Sequence, residues 1–167
     1  MMFVEKIKSL NTTNMQPYEH EKELVFSDDL IEIMPEAFIF CEELERLVLP
    51  NSLRVIVTNS ERRLMRMAYR EVDLFSCPKS LKELVVPFSL FQRLAESGFA
   101  YMLIPRSLER LIVVGECEGE FHFTLNTPYT WMLPYPYPPY KLKSITLPEG
   151  VFIDRNDIED VQILEGA

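Results

Sequence analysis

The chain has 167 residues, of which 47% are hydrophobic and 26% charged; this fits one globular domain and excludes a disordered or collagen-like chain. With 17 Lys+Arg against 26 Asp+Glu the net charge is −9, which disfavours sequence-independent attraction to nucleic-acid phosphate or anionic lipid. The apolar runs are a few residues long, far short of the ~20 that cross a bilayer as a helix.

In chain order, residues 1–21 carry Lys6 and Lys8 interrupted by Glu5 and show no secretory signal, so they predict an N-terminal cap on a cytoplasmic protein. Strands are predicted in Lys22–Leu30 (KELVFSDDL) and Glu45–Leu53 (ERLVLPNSL). Glu61–Phe75 reads as a helix, with Leu64, Met67, Ala68, Glu71 and Phe75 at three- and four-residue steps and Ser60 as its cap. Arg62, Arg63, Arg66 and Arg70 make that helix locally basic, as a solvated face, an internal match to the acidic C-terminus, or a contact for an acidic partner or phosphate groups. A third strand falls in Lys82–Leu90 (KELVVPFSL), followed by a short helix over Ser89–Glu96 that Gly98 ends, and Phe99–Ile104 packs on the core. The fourth strand lies in Glu109–Cys117 (ERLIVVGEC). His122–Tyr140 then combines Pro128, Pro134, Pro136, Pro138 and Pro139 with Tyr129, Trp131, Tyr135, Tyr137 and Tyr140. Proline at that density forbids a helix and favours an extended path; its aromatics either cover the core or supply binding contacts. A fifth strand occupies Lys143–Val151 (KSITLPEGV). The tail 149–167 is acidic but keeps Val151, Ile153, Ile158, Val161 and Ile163, which predicts a final strand or capping coil.

The five strand phrases are one repeated phrase. Leu24, Leu47, Leu84, Leu111 and Ile145 align at unequal steps, and Leu44, Leu81, Leu108 and Leu142 precede four of the copies. A regular strand with variable connections is the signature of stacked repeats. Alternation at Leu47 and Leu49 has period two, and Pro50, Pro87 and Pro148 end their strands because proline lacks a ladder N–H. The expected fold is therefore α/β: a short irregular solenoid with one parallel strand per coil. Residues 1–167 form a single domain, with repeats over 22–148, insertions at 57–80 and 115–140, and an acidic C-terminal cap at 149–167.

With Leu47 and Leu49 inward, three outward rows follow. The first is Glu23, Arg46, Glu83, Arg110 and Ser144, whose alternating sign predicts a cross-strand ion-pair ladder. The second is Val25, Val48, Val85, Ile112 and Thr146, an apolar stripe that reads as a protein contact, as a surface covered by another segment, or as plain strand propensity. The third is Ser27, Pro50, Pro87, Val114 and Pro148.

Residues Ser27–Leu53 (SDDLIEIMPEAFIFCEELERLVLPNSL) resemble one unit of the BspA-type leucine-rich repeat: Ile33, Ala37, Phe38, Cys41, Leu44, Leu47 and Leu49 stand at that family's apolar positions. The segments LKELVVPFSL and SLERLIVV resemble its strand part, and AESGFA echoes its Ala-Phe element. The resemblance implies a leucine-rich-repeat fold and a recognition or adhesion role.

Chemistry-bearing motifs point elsewhere than catalysis. Cys41, Cys77 and Cys117 are too widely spaced for a disulfide framework or a zinc site and read as buried thiols. The histidines are His20 and His122, and Cys117 and His122 do not make a thiol-protease pair. No phosphate-binding glycine loop, metal-binding helix or nucleophile elbow occurs; no cofactor and no metal are implied. The expected function is non-enzymatic binding of a protein partner through Val25, Val48, Val85, Ile112, Arg46, Glu83 and Arg110, aided by Trp131, Tyr135 and Tyr137. The alternatives are an acidic decoy that inhibits a nucleic-acid-binding protein, and a small hydrolase with its site in the insertions. No membrane or direct nucleic-acid partner is expected, and the partner's identity and the oligomeric state stay open.

Overall fold

A repeated hydrogen-bond motif aligns the leucine phrases side by side. In the computed structural model, which describes residues 1–34, 37–56, 80–96, 103–105, 107–124, 141–153 and 161–166, the amides of Glu45 and Arg46 both donate to the Lys22 carbonyl. Lys82 and Glu83 repeat this on Glu45, Glu109 and Arg110 on Lys82, and Lys143 and Ser144 on Glu109. Each strand thus begins in register with the one before it.

Among the described residues the result is a seven-stranded parallel sheet. Its strands are β1 (Met2–Val4), β3 (Glu23–Phe26), β5 (Arg46–Val48), β7 (Glu83–Pro87), β8 (Arg110–Val114), β10 (Ser144–Leu147) and β12 (Gln162–Glu165), in that spatial order. Sequence reasoning predicted five of these. Residues 1–21 contribute β1, which pairs with β3, and the tail forms β12 beside β10, the first of the two forms expected for it.

Most strands of the large sheet are followed by a strand of a second layer. β2 (Ser9–Leu10), β4 (Glu32–Ile33) and β6 (Val55–Ile56) form one parallel group, and β9 (Phe121–Phe123) and β11 (Val151–Ile153) another. After β7 the chain instead forms helix α1 (Phe88–Glu96). Phe88, Phe91 and Leu94 fall on one face of it. Phe91 meets Phe123 edge-on with ring centroids 4.8 Å apart, and Phe88 meets Phe121 at 5.8 Å. The helix so fills the gap between the two second-layer groups.

The core lies between the layers. Leu24, Leu47, Leu84, Leu111 and Ile145 are partners in adjacent strands and are fully buried. Met2 and Ile163 extend that column at either end. A second inward column includes Val4, Phe26, Leu49, Val86, Val113 and Leu147, all buried. Removing a leucine-sized side chain from water stabilises the fold by about 1.5–3 kcal/mol each, so these columns are its main apolar resource. Ile33, Ala37, Phe38, Cys41 and Leu44, in the segment between β3 and β5, are also buried.

Short polar links tie successive strands together. The hydroxyls of Ser52, Ser80 and Ser107 each donate at 2.7 Å to a leucine carbonyl of the preceding turn: Leu30, Leu44 and Leu81. Lys6 adopts a left-handed backbone (φ 66) and its amide donates to Asp29 at 3.0 Å. That bond, with one from Ser27, holds the Asp29 carboxyl below its ordinary value.

One thiol differs from expectation. Cys41 is buried, as read from the sequence, whereas Cys117 is half-buried because it sits in the glycine-containing turn after β8. Cys77, the expected helix at 61–75, Gly98 and most of the 122–140 aromatic stretch lie outside the described residues. No helix among the described residues is long and apolar enough to cross a membrane.

Candidate protein-binding face

Side chains that alternate with the buried leucines emerge on the far side of the large sheet. Strand register places Phe3, Val25, Val48, Val85, Ile112, Thr146 and Leu164 in one row across all seven strands. At about 4.8 Å per strand the row spans roughly 29 Å. Six of its members are apolar. Phe3 is 50% exposed and Leu164 37%. Val25, Val48, Ile112 and Thr146 are half-buried, while Val85 at 7% is the least accessible and offers little contact area.

The charged row behaves as its alternating signs predict. Arg46 reaches Glu23 at 3.5 Å and hydrogen-bonds Glu83, and Arg110 Nε donates to Glu83 at 2.9 Å. Burial pushes the Glu83 carboxyl up, but the hydrogen bonds from Arg110 and Arg46 outweigh it and hold the group below the ordinary glutamate value. One residue earlier runs a second row of opposite phase: Lys22, Glu45, Lys82, Glu109 and Lys143. Lys143 meets Glu109 at 2.7 Å and Lys82 meets Glu45 at 3.9 Å. The Lys143 hydrogen bond holds Glu109 below its ordinary value. The two rows form a checkerboard of charge that neutralises itself.

The third row presents less than its sequence suggests. Pro50, Pro87 and Pro148 are buried, Ser27 is half-buried, and Val114 is 41% exposed. Near Val114 the face opens into a groove of about 800 Å³ between the ends of β8 and β10. Ile112, Val114, Thr146 and Pro148 line it, together with Glu116, Glu120 and Glu149.

Of the expected site residues, Val25, Val48, Val85, Ile112, Arg46, Glu83 and Arg110 share this face through the strand pairing. Trp131, Tyr135 and Tyr137 lie outside the described residues. Sequence reasoning missed Phe3 and Leu164, whose strands lack the leucine phrase. It also missed the Lys/Glu row, although the first letters of the five phrases (K, E, K, E, K) spell it.

Both histidines are engaged in local pairs. His20 Nδ1 lies 2.8 Å from Glu43, and His122 Nε2 lies 3.3 Å from Glu120 while its ring stacks on Phe152 at 4.9 Å. Burial pushes the Cys41 thiol up to about 11, opposite to the direction that activates a thiol nucleophile. Among the described residues no group of three His, Cys, Asp or Glu side chains is placed to hold a metal ion.

No family model, no curated protein and no solved structure matches the chain. Its α/β architecture with a parallel sheet rests on its own geometry.

Proposed function

We propose that this chain is a non-enzymatic protein-interaction module, built as a short irregular leucine-rich-repeat coil, that holds a protein partner on the outer face of its large sheet. The observation that carries the reading is the apolar row from Phe3 to Leu164, bordered by charges that satisfy one another. An apolar stripe on a sheet with a neutralised border favours contact with another protein surface over contact with a polyanion. Repeat geometry is supported by the common register of the strands and by the burial of Ile33, Ala37, Phe38, Cys41, Leu44, Leu47 and Leu49. Against a thiol nucleophile at Cys41 stands the upward push that burial gives its thiol.

The acidic-decoy reading finds less support on this face, since Glu23, Glu45, Glu83 and Glu109 are matched to Arg46, Lys82, Arg110 and Lys143. The test is capture of a cellular partner by the full chain and by a Val25→Glu/Val48→Glu variant. Both positions are half-buried on the outer face, so the urea midpoint is expected to move little while capture is lost. A folded variant that captures the same partner as well as the parent rejects the face.

A further inference from the structure

The charge on the outer face is unevenly compensated. At the start of the strands the checkerboard leaves little free charge. At the β3 end, Asp29 receives hydrogen bonds from the Lys6 amide and Ser27. At the ends of β8 and β10 the pattern changes. Glu116 and Glu149 make no ion pair with a described residue, and Glu120 has only His122 at 3.3 Å. Among the described residues no lysine or arginine lines the groove there. Its floor is formed by Ile112 and Val114 of β8, by Thr146 of β10 and by Pro148 just beyond it, and exposed Phe152 stands at its side.

A partly apolar floor beside carboxylates that no described residue pairs selects against most occupants. Phosphate and acidic segments are repelled. A second copy of this chain brings another −9 of net charge and the same acidic rim. A neutral apolar segment would fill the floor but leave the carboxylates without partners as water is displaced, which costs free energy.

We propose that the groove between β8 and β10 binds a short segment of a partner protein in which lysine or arginine alternates with Val, Leu or Ile. The apolar side chains lie on Ile112, Val114 and the Thr146 methyl, and the cations meet Glu116, Glu149 and Glu120. This assignment rests on the outer face being a protein-binding surface and names the chemistry of what that surface takes at one end.

The test uses three fluorescein-labelled synthetic peptides with the same Val and Leu positions and with Lys, Gln or Glu between them, titrated by anisotropy against the full chain. The Lys peptide is expected to bind, more weakly as salt rises, and the Glu peptide to fail. Glu116→Gln/Glu149→Gln changes exposed side chains, so folding is preserved; it is expected to weaken the Lys peptide by about tenfold, as loss of charge pairing at an interface does, and to leave the Gln peptide unchanged. Equal binding of the Lys and Gln peptides, or a double variant with unchanged affinity, overturns the proposal. Concentration-dependent dimerisation abolished by Ile112→Glu assigns the groove to a second copy and also overturns it. Val48→Glu, outside the groove lining, separates the two readings. Partner capture lost in Val48→Glu but kept in the Glu116/Glu149 variant leaves the face standing and removes the groove. Peptide binding lost in the Glu116/Glu149 variant but kept in Val48→Glu supports the groove on its own.

Discussion

Arg110 donates from Nε to Glu83 Oε1 at 2.9 Å across the boundary between two parallel strands. The same carboxylate accepts from Arg46 on its other side. Glu83 is therefore the shared acceptor of two guanidinium groups in the middle of the sheet, and its titration reports on that arrangement.

Glu83→Gln is expected to destabilise the fold at neutral pH by about 1 kcal/mol, the upper range for partly exposed pairs. The folded carboxyl lies below the ordinary glutamate value. Its stabilisation is then fully present above that ordinary value and is lost as pH falls through the folded value. Urea midpoints of parent and variant should differ at pH 7 and converge in acid. Parallel curves down to the acid limit would show that the ion pairs contribute nothing to stability.

Neighbouring residues on one strand should respond oppositely to truncation. Leu111 is fully buried and Ile112, one residue on, points to the outer face. Leu111→Ala is expected to cost roughly 2–5 kcal/mol, the range for emptied core sites. Ile112→Ala should cost less than about 1 kcal/mol, as at sites outside the core. Chemical denaturation of the two variants measures the contrast, and equal losses would mean that the period-two alternation is wrong at β8.

Gly150 has a left-handed backbone (φ 86), and a Cβ there would collide with the Gly119 carbonyl oxygen. The Gly150 carbonyl also accepts from the Phe121 amide at 2.8 Å, at the start of the β9–β11 pairing. Gly150→Ala combines the left-handed cost of about 1–2 kcal/mol with a backbone clash, so at least that much stability should be lost. Thermal unfolding would reveal it; a midpoint equal to the parent's would require the two turns to separate freely.

Burial that raises the Cys41 thiol to about 11 keeps it protonated and enclosed near pH 8. In a Cys77→Ser/Cys117→Ser background the thiol should stay unreactive to a disulfide reagent until urea unfolds the chain. Prompt reaction of the native protein would place Cys41 at the surface.

Much of this architecture was legible because the leucine phrase carries two signals at once. Period-two alternation separates Leu47 and Leu49 from Arg46 and Val48, and the alternating charges of Glu23, Arg46, Glu83 and Arg110 distinguish neighbouring strands. For a physical reason the first strand escaped notice and the last was expected only as a strand or a capping coil. Met2–Val4 is three residues long, too short to display a period, and Gln162–Glu165 places a glutamate where the other strands put a buried hydrophobe, opposite Leu147. The second-layer strands Ser9–Leu10 and Glu32–Ile33 are two residues each and show almost nothing to a pattern search. The acidic groove was invisible for another reason: Glu116 and Glu149 are distant in sequence, and only the β8–β10 pairing brings their turns together.

The checkerboard also bears on how the chain avoids assembling in the wrong order. Phrases as alike as KELV and ERLV could trade places during folding, a recurrent hazard of repetitive chains. Signs alternate from each strand to the next, so a strand that skipped its neighbour would meet its own sign: Glu23 against Glu83, Arg46 against Arg110, Glu45 against Glu109. Correct succession is rewarded by attraction and a skipped step is opposed by repulsion, which makes these surface charges a proofreading code for strand order.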